Sequence, residues 1–358
     1  MPLIKNVQFL ILILLSQSCC AVSEETVVPI SEIQKIIVQN ALYPLATESL
    51  TLLNKDNLAE GLRSFDSYAR YIPPPLASKK VSSSLHLGLD LFLYKSRIWV
   101  TPEPGGPASQ YGIPEVGELR GINDRLITNN LEQTSTLIDE AINDNRVILD
   151  IFDGQDKKYS VKPEAFKTSS VTTRTIGQDV FIRISDFISH GTAPFFSGLH
   201  KTIDKSGSNI IIDLRGCPGG DLFEALEIAG MFVPAGLPLL TTYNRTGKIH
   251  SYISPTGKKL SAPLYILIDN RTASSAEILA GILKSHAITR IVGEKSYGKC
   301  ESQTVFNLSN GGTLWLTTLS IQFADGTSCT HTGVKPDIIY PDISIARSAS
   351  IKNKIDKK

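Results

Sequence analysis

The 358-residue chain has little of several things, and each shortage excludes something. Charge of one sign comes first: 36 Lys and Arg stand against 35 Asp and Glu, a formal net charge of +1. Nucleic-acid partners are held by a basic excess or stripe, so this balance speaks against one. Cysteine is scarce as well. Five residues do not staple a chain of this size, so it is no small disulfide scaffold. A core has to come from apolar burial, and 42% hydrophobic with 20% charged residues provides it and excludes a disordered chain. No apolar run reaches the roughly 20 residues that cross a bilayer, so no transmembrane segment is expected. Neither G-x-G-x-x-G nor G-K-S/T is present, which weakens nucleotide binding. Cys329 and His331 lie close in sequence, but no C-x-x-C or H-E-x-x-H spacing supports them, so no metal is expected.

What is present begins at the N-terminus. Met1 to Lys5 is short with one positive charge, Phe9 to Leu15 is purely apolar, and small or polar residues follow through Ala21. These are the parts of a secretory signal over residues 1–21, against the plainer reading of a buried strand. The chain is therefore expected to be exported, periplasmic or secreted, with a lipidated Cys19 or Cys20 as the anchored variant. Cleavage near Ala21 leaves Cys217, Cys300 and Cys329. Three is odd, so at most one intramolecular disulfide forms, and the sequence does not say which two pair.

Three textures follow. Ile33, Ile36, Ile37, Ala41 and Leu42 share a helical face, and Leu52, Leu53, Leu58 and Leu62 suggest a second helix before the Pro73-Pro74-Pro75 break. This gives a helical N-terminal part over residues 22–84. Residues 85–166 alternate short apolar runs with Gly and Pro turns, and helices are expected at Ala108–Tyr111 and Leu131–Asn143. From about Val180 the pattern is strand, helix, strand. Apolar strands at 209–214, 264–268 and 288–292 alternate with helices at 222–233 and 277–283, which calls for a sheet covered on both faces. The fold class is α/β in the mixed α+β sense, with residues 167–345 as the core and a basic, frayed tail at 346–358.

Four constellations can carry chemistry. Asp213-Leu-Arg-Gly-Cys-Pro-Gly-Gly220 joins a buried strand to a helix through a Gly-rich loop. Such loops aim N–H groups at an anion or a developing oxyanion, though many are only turns. Ser274 follows the strand ending at Asp269, where a strand-to-helix turn can present a hydroxyl. Ser274-x-x-Glu277 also reads as a capping box, the plainer account of the same residues. Lys299 lies between Gly298 and Cys300 near a buried strand. Most lysines are solvated charges, but a desolvated one has its charged form disfavoured and can take a proton from a serine. Gln303, four residues on, can fix that amine or simply face solvent. Finally, Gly88-Leu89-Asp90-Leu91 is a Gly-containing loop entering a strand. It can grip a peptide carboxylate and pair with the peptide, or be a plain hairpin.

In this order, the four stretches resemble the C-terminal processing peptidases, also called tail-specific proteases. The resemblance runs from about residue 35 to 341. Phe65-Asp-Ser-Tyr-Ala-Arg-Tyr-Ile-Pro73 is similar to that family's signature after its N-terminal helices, and Gly88 through Asn123 to its PDZ domain. Phe181 to Phe187, Asp213 to Gly220, Ser274 to Ile278, Gly298-Lys299, Gly326 and Gly333 to Asp337 are similar to its protease core. The intervals, 25 residues from Ser274 to Lys299 and 4 from Lys299 to Gln303, fit the family's Ser-Lys-Gln arrangement.

The resemblance implies a serine endopeptidase with Ser274 as nucleophile, Lys299 as general base and Gln303 orienting it. It implies an oxyanion hole from Gly219 or Gly220 with Ser275, and a PDZ domain over residues 85–166 that binds apolar C-termini through Gly88, Leu89, Asp90 and Leu91. No cofactor is implied. The partners are protein or peptide substrates, with an adaptor protein as a further candidate. Two positions depart from the family: Cys217 replaces its usual Asn and Cys300 its usual Gly. A Cys217–Cys300 disulfide would tie the Gly-rich loop to the lysine strand, with Cys300–Cys329 as the rival. The competing functional class is a tail-binding protein of this fold that does not hydrolyse. A Ser-His-Asp hydrolase would need a His motif that none of the six His provides.

Overall fold

Ile210, Ile211, Ile212 and Asp213 are all buried. A strand with no solvent face belongs inside a sheet covered on both sides, and there the structure places it. The computed structural model describes residues 27–74, 85–103, 105–145, 147–165, 169–198, 209–255, 260 and 262–357. The signal-peptide reading of residues 1–21 lies outside the described residues.

Helices α1 (Ile30–Asn40) and α2 (Leu58–Phe65) come first, then the short strand β1 (Arg70–Ile72). Ile33 with Ile37, and Leu58 with Leu62, are spaced four apart and bury one stripe of each helix. Next comes an antiparallel module. Strands β2 (Leu89–Tyr94), β3 (Arg97–Pro102), β4 (Gly117–Ile122), β5 (Val147–Phe152) and β6 (Asp156–Val161) lie side by side in that order. Helix α3 (Leu131–Asn143) has the bounds the sequence suggests, and Asn130 caps it by accepting the Gln133 N–H at 3.0 Å. Its Ile138, Ala141 and Ile142 pack with Val100, Leu119 and Leu149. Among the described residues, strand β2 is at the sheet edge and pairs only with β3.

The central sheet has the order β7-β8-β9-β12-β13-β16. Its members are β7 (Val171–Ile176), β8 (Asp179–Ile184), β9 (Ile210–Asp213), β12 (Leu264–Ile268), β13 (Thr289–Gly293) and β16 (Ile338–Ile339). Strands β8 to β16 run parallel, and Ile182, Ile212, Ile266 and Ile291 stand in one row across them. Helices α4 (Leu222–Gly230) and α5 (Ser275–Ser285) cover one face. The other face is covered by the C-terminal segment. Residues 346–358 read as a frayed basic tail, yet Ser348–Asp356 forms helix α6. Ile351 and Ile355 lie one turn apart and pack against Ile211, Leu267 and Val292. Lys352 pairs with Asp179 at 2.7 Å, so a charge counted as solvated fixes the helix instead.

A second sheet has the order β1-β15-β10-β11, with β14 also pairing β15. Its strands are β10 (Pro238–Asn244), β11 (Gly247–Ile253), β14 (Glu301–Asn307) and β15 (Thr313–Phe323). The strand-helix-strand reading has no place for this sheet. Its strands alternate apolar and polar residues, so they lack the continuous runs that mark a fully buried strand. Ile33, Ile37, Leu58 and Leu62 pack on Leu308, Leu314 and Leu316, so the N-terminal helices are part of the core of this sheet. The whole is a mixed α+β fold.

Candidate active site

Strand β12 ends at Ile268, and the chain turns through Asp269 to Ser274 before α5 begins. Ser274 has φ 54° and ψ −125°, a region that L-residues rarely adopt. The surroundings hold it there. Ala273 donates its N–H to the Cys217 carbonyl at 2.9 Å, and Thr272 Oγ1 donates to the Leu214 carbonyl at 2.8 Å. Glu277 Oε2 accepts the Ser274 N–H at 3.0 Å, the Glu277 half of the expected capping box. The turn therefore does both things that the sequence left open: it starts a helix and sets a serine at that helix's N-terminus.

The Gly-rich loop lies against this turn. A Cβ on Gly219 would come within 2.7 Å of Ser274 Cβ and 2.8 Å of the Ser275 nitrogen. Gly219 has φ 101° and Gly220 φ 138°, and a Cβ on Gly220 would stand 2.3 Å from the Phe187 carbonyl oxygen. Only glycine fits at either position. Ser275 Oγ donates to the Gly220 carbonyl at 2.8 Å, and the Phe187 N–H donates to the Gly219 carbonyl at 2.9 Å. Asp213 and Arg215 brace the start of the loop. Both are buried, joined at 2.6 and 2.8 Å, and Arg215 also donates to the Ile343 and Ala346 carbonyls. Burial opposes ionisation of Asp213, but the Arg215 guanidinium outweighs it and holds the carboxyl below its ordinary range.

Lys299 stands where the chain enters β14. Its Nζ donates to Gln303 Oε1 at 2.9 Å and lies 4.8 Å from the centre of the Tyr68 ring. Gln303 Nε2 donates to the Tyr68 carbonyl at 2.9 Å, so the glutamine links the amine to the N-terminal segment. Burial pushes Lys299 below the usual amine range, and Arg70 adds to this, while Asp66 and Glu301 oppose it. Among the described residues, no hydrogen bond joins Lys299 Nζ to Ser274.

Glu277 joins the two halves. Its buried carboxylate accepts Ser296 Oγ at 2.5 Å, the Gly298 N–H at 2.6 Å and the Lys299 N–H at 2.7 Å, besides the Ser274 N–H. Burial raises its pKa and these four bonds oppose the rise. Tyr68, Arg70 and Glu277 are site residues that the sequence reading did not single out as such. The signals available were the Phe65–Pro73 stretch, which carries two of them, and the Ser274-x-x-Glu277 capping box, which carries the third.

The cysteine expectation is corrected. Cys300 is bonded to Cys329, and Cys217 is a free, buried thiol that burial pushes up to about 12. The Cys217–Cys300 pairing is thereby excluded.

Gly88 has φ 63° and precedes β2, where Leu89, Asp90 and Leu91 pair with Pro102, Thr101 and Val100. Asp90 and Leu91 line a cavity of about 590 Å³ together with Glu103, Arg183, Asp186 and Arg271. Arg271 lies in the serine turn, pairs with Asp269 at 2.7 Å, and stacks on Phe92 of β2 with its guanidinium 3.8 Å from the ring centre. The structure therefore groups Ser274, Ser275, Gly219 and Gly220 directly. It sets Lys299 with Gln303 and ties that pair to the serine turn through Glu277.

Residues 180–340 match the model for Peptidase family S41. The carboxyl-terminal-processing protease of Picosynechococcus sp. is 30% identical over 305 residues, covering 77% of this chain and 70% of that protein. Carboxy-terminal processing protease CtpB of Bacillus subtilis is 26% identical over 339 residues, covering 88% and 70%. The carboxyl-terminal-processing protease of Synechocystis sp. is 32% identical over 177 residues, 49% of this chain and 41% of that protein. The chain thus spans from about two fifths to seven tenths of these relatives' lengths. Among solved structures, the photosystem II D1 C-terminal processing protease aligns with a TM-score of 0.56 at 21% identity, over 87% of this chain and 92% of that one. A Bacteroides fragilis structure assigned to the S41 proteases aligns with a TM-score of 0.63 at 15% identity, over 91% and 97%. These structural likenesses bear on the fold alone.

Proposed function

The chain belongs to peptidase family S41, a family of serine endopeptidases, and from that premise we propose that it cleaves protein chains with Ser274 as nucleophile and Lys299 as general base. One observation carries this reading. A single oxygen, Glu277 Oε2, accepts both the Ser274 and the Lys299 N–H groups, at 3.0 and 2.7 Å, so the two residues are held in one frame.

Ser274 Oγ attacks the scissile carbonyl carbon and its proton passes to the neutral Lys299 amine. The carbonyl π electrons move to oxygen, and N–H groups of Gly219 or Gly220 with Ser275 stabilise the oxyanion. The C–N bond then breaks, and Lys299 returns the proton to the leaving amine. Water attacks the acyl-enzyme, again giving a proton to Lys299. Collapse breaks the ester C–O bond and frees the acid, and Lys299 returns its proton to Ser274 Oγ. Gln303 keeps the amine on its strand between turns of the cycle, and moving Nζ from Gln303 to Ser274 is the step that arms the site. Its lowered pKa is the property the base needs.

In this reading residues 22–84 are the helical N-terminal part, 85–166 a PDZ-type module and 167–345 the catalytic core. The free edge of β2 takes an apolar C-terminus as an added strand, its carboxylate at Gly88, and feeds the chain to Ser274. The N-terminal 21 residues direct export, and an adaptor can present substrates. Among the described residues no helix is long and apolar enough to cross a membrane.

The test is cleavage of an unfolded protein with a free apolar C-terminus by the wild type, Ser274→Ala and Lys299→Ala. Each variant is expected to lose about 10⁴-fold or more in kcat. Unimpaired cleavage by Lys299→Ala removes the Ser-Lys mechanism. Tail binding by the wild type with no cleavage of several such substrates replaces it with the binding protein.

A further inference from the structure

We propose that Arg70 is a positioning residue for the reaction: its fixed charge, seated on Trp315, biases Lys299 toward the neutral amine that can take the serine's proton. The inference rests on the Ser-Lys reading above and assigns a regulator of that base.

The placement comes from the second sheet. Arg70 of β1 stands directly opposite Trp315 of β15, and Trp315 stands directly opposite Val305 of β14 on its other side. Residues opposite one another in an antiparallel pair share a face, so the three form one row on one side of the sheet. Gln303, two residues before Val305, is on that same side, and it holds Lys299 Nζ at 2.9 Å. The guanidinium carbon lies 4.4 Å from the centre of the Trp315 ring, which fixes where the charge sits. Arginine stays protonated at any pH the enzyme meets, so it is a constant, same-sign neighbour of the lysine. A like charge disfavours the ammonium form.

Other groups face Lys299 from each packed element. Asp66 and Tyr68 come from the N-terminal segment, Glu301 from β14 itself and Glu277 from α5. Tyr297 precedes the lysine loop and acts on Tyr68, while His331 donates its N–H to the Gly298 carbonyl and acts on Glu301. Asp66 and Glu301 favour the ammonium, and so does the Tyr68 ring. Tyr43 donates to Glu301 and shares part of that charge. Arg70 is the cation on β1 that opposes these anions at Lys299, which is why an exposed residue on a three-residue strand matters to the chemistry.

The experiment measures kcat/KM against pH on one protein substrate for the wild type, Arg70→Gln, Arg70→Lys and Trp315→Leu, with circular dichroism melts to verify folding. The acid limb of this profile reports the free enzyme's base. Removing the positive neighbour favours the ammonium, so in Arg70→Gln the limb moves to higher pH. Activity at pH 7 is expected to fall about three- to ten-fold, while the alkaline plateau stays within about two-fold. Arg70→Lys keeps the wild-type limb, and Trp315→Leu moves it part of the way. An Arg70→Gln profile that superimposes on the wild type, or one lowered equally at every pH, overturns the inference. Lys299→Ala run alongside separates the two claims. If it still cleaves, the Ser-Lys reading has failed; if it is inactive and the limb has not moved, only the role of Arg70 has.

Discussion

At the residue scale, the site is shaped by what Gly219 lacks. Its absent side chain is the space in which Ser274 Cβ and the Ser275 nitrogen sit, and its φ of 101° is one that a side chain resists. Gly219→Ala is expected to lower kcat by about 10²–10³, the loss typical of removing one oxyanion donor. KM for a tail-bearing substrate should stay nearly constant, because in the proposed reading the tail is held at β2 and not at Gly219. Steady-state kinetics checks this, and a loss confined to KM contradicts it. Ser274 obeys the same logic in reverse. It is a non-glycine residue in a glycine-like conformation, held by hydrogen bonds on both sides of the turn.

At the scale of elements, the disulfide and the legibility of the sequence belong together. Cys300–Cys329 fastens the start of β14 to the loop after β15, next to Lys299. The two cysteines are 29 positions apart, and a cross-link of that span stabilises by about 3 to 4 kcal/mol in the chain-entropy account. Cys329→Ala is expected to lower the melting temperature and to quench cleavage more than stability, since Lys299 loses its anchor. Peptide mapping without reduction should show Cys300 linked to Cys329 and Cys217 as a free thiol. A Cys217–Cys300 peptide would contradict the fold. The sequence made the central sheet readable, because β9, β12 and β13 are continuous apolar runs that have no other use. It also offered Ser274, Lys299 and Gln303 as candidates, through spacing shared with a family. It hid the second sheet, whose strands alternate, and hid Tyr68 and Arg70, whose role depends on a partner strand far along the chain. It misled on α6, where Ile351 and Ile355 were outvoted by the surrounding lysines.

At the scale of the whole molecule, several ion pairs join the antiparallel module to the core. Lys95 pairs with Asp342 at 2.5 Å, Arg174 with Glu115 at 2.5 Å and Arg347 with Asp153 at 3.3 Å. Arg271 on Phe92 adds a contact with an apolar component. Exposed pairs of this kind are worth about 0–1 kcal/mol each, and at 1 M salt the screening length falls to about 3 Å. Raising salt to that level is expected to speed amide exchange in β2 while leaving Ile212, Ile266 and Ile291 protected. Hydrogen exchange read by mass spectrometry checks it; unchanged exchange in β2 would mean that apolar packing holds the module. The pairing of the N-terminal segment with β15 has another consequence, one of timing. Asp66 and Thr317, which join these segments, are 251 positions apart. Ribosomes deliver the N-terminal end first. Tyr68 and Arg70 therefore wait through most of synthesis for the strand they pair with, and the lysine they tune has not yet been made. In the proposed mechanism, catalytic competence therefore has to wait until the ribosome has passed Lys299 and the strand that carries Thr317.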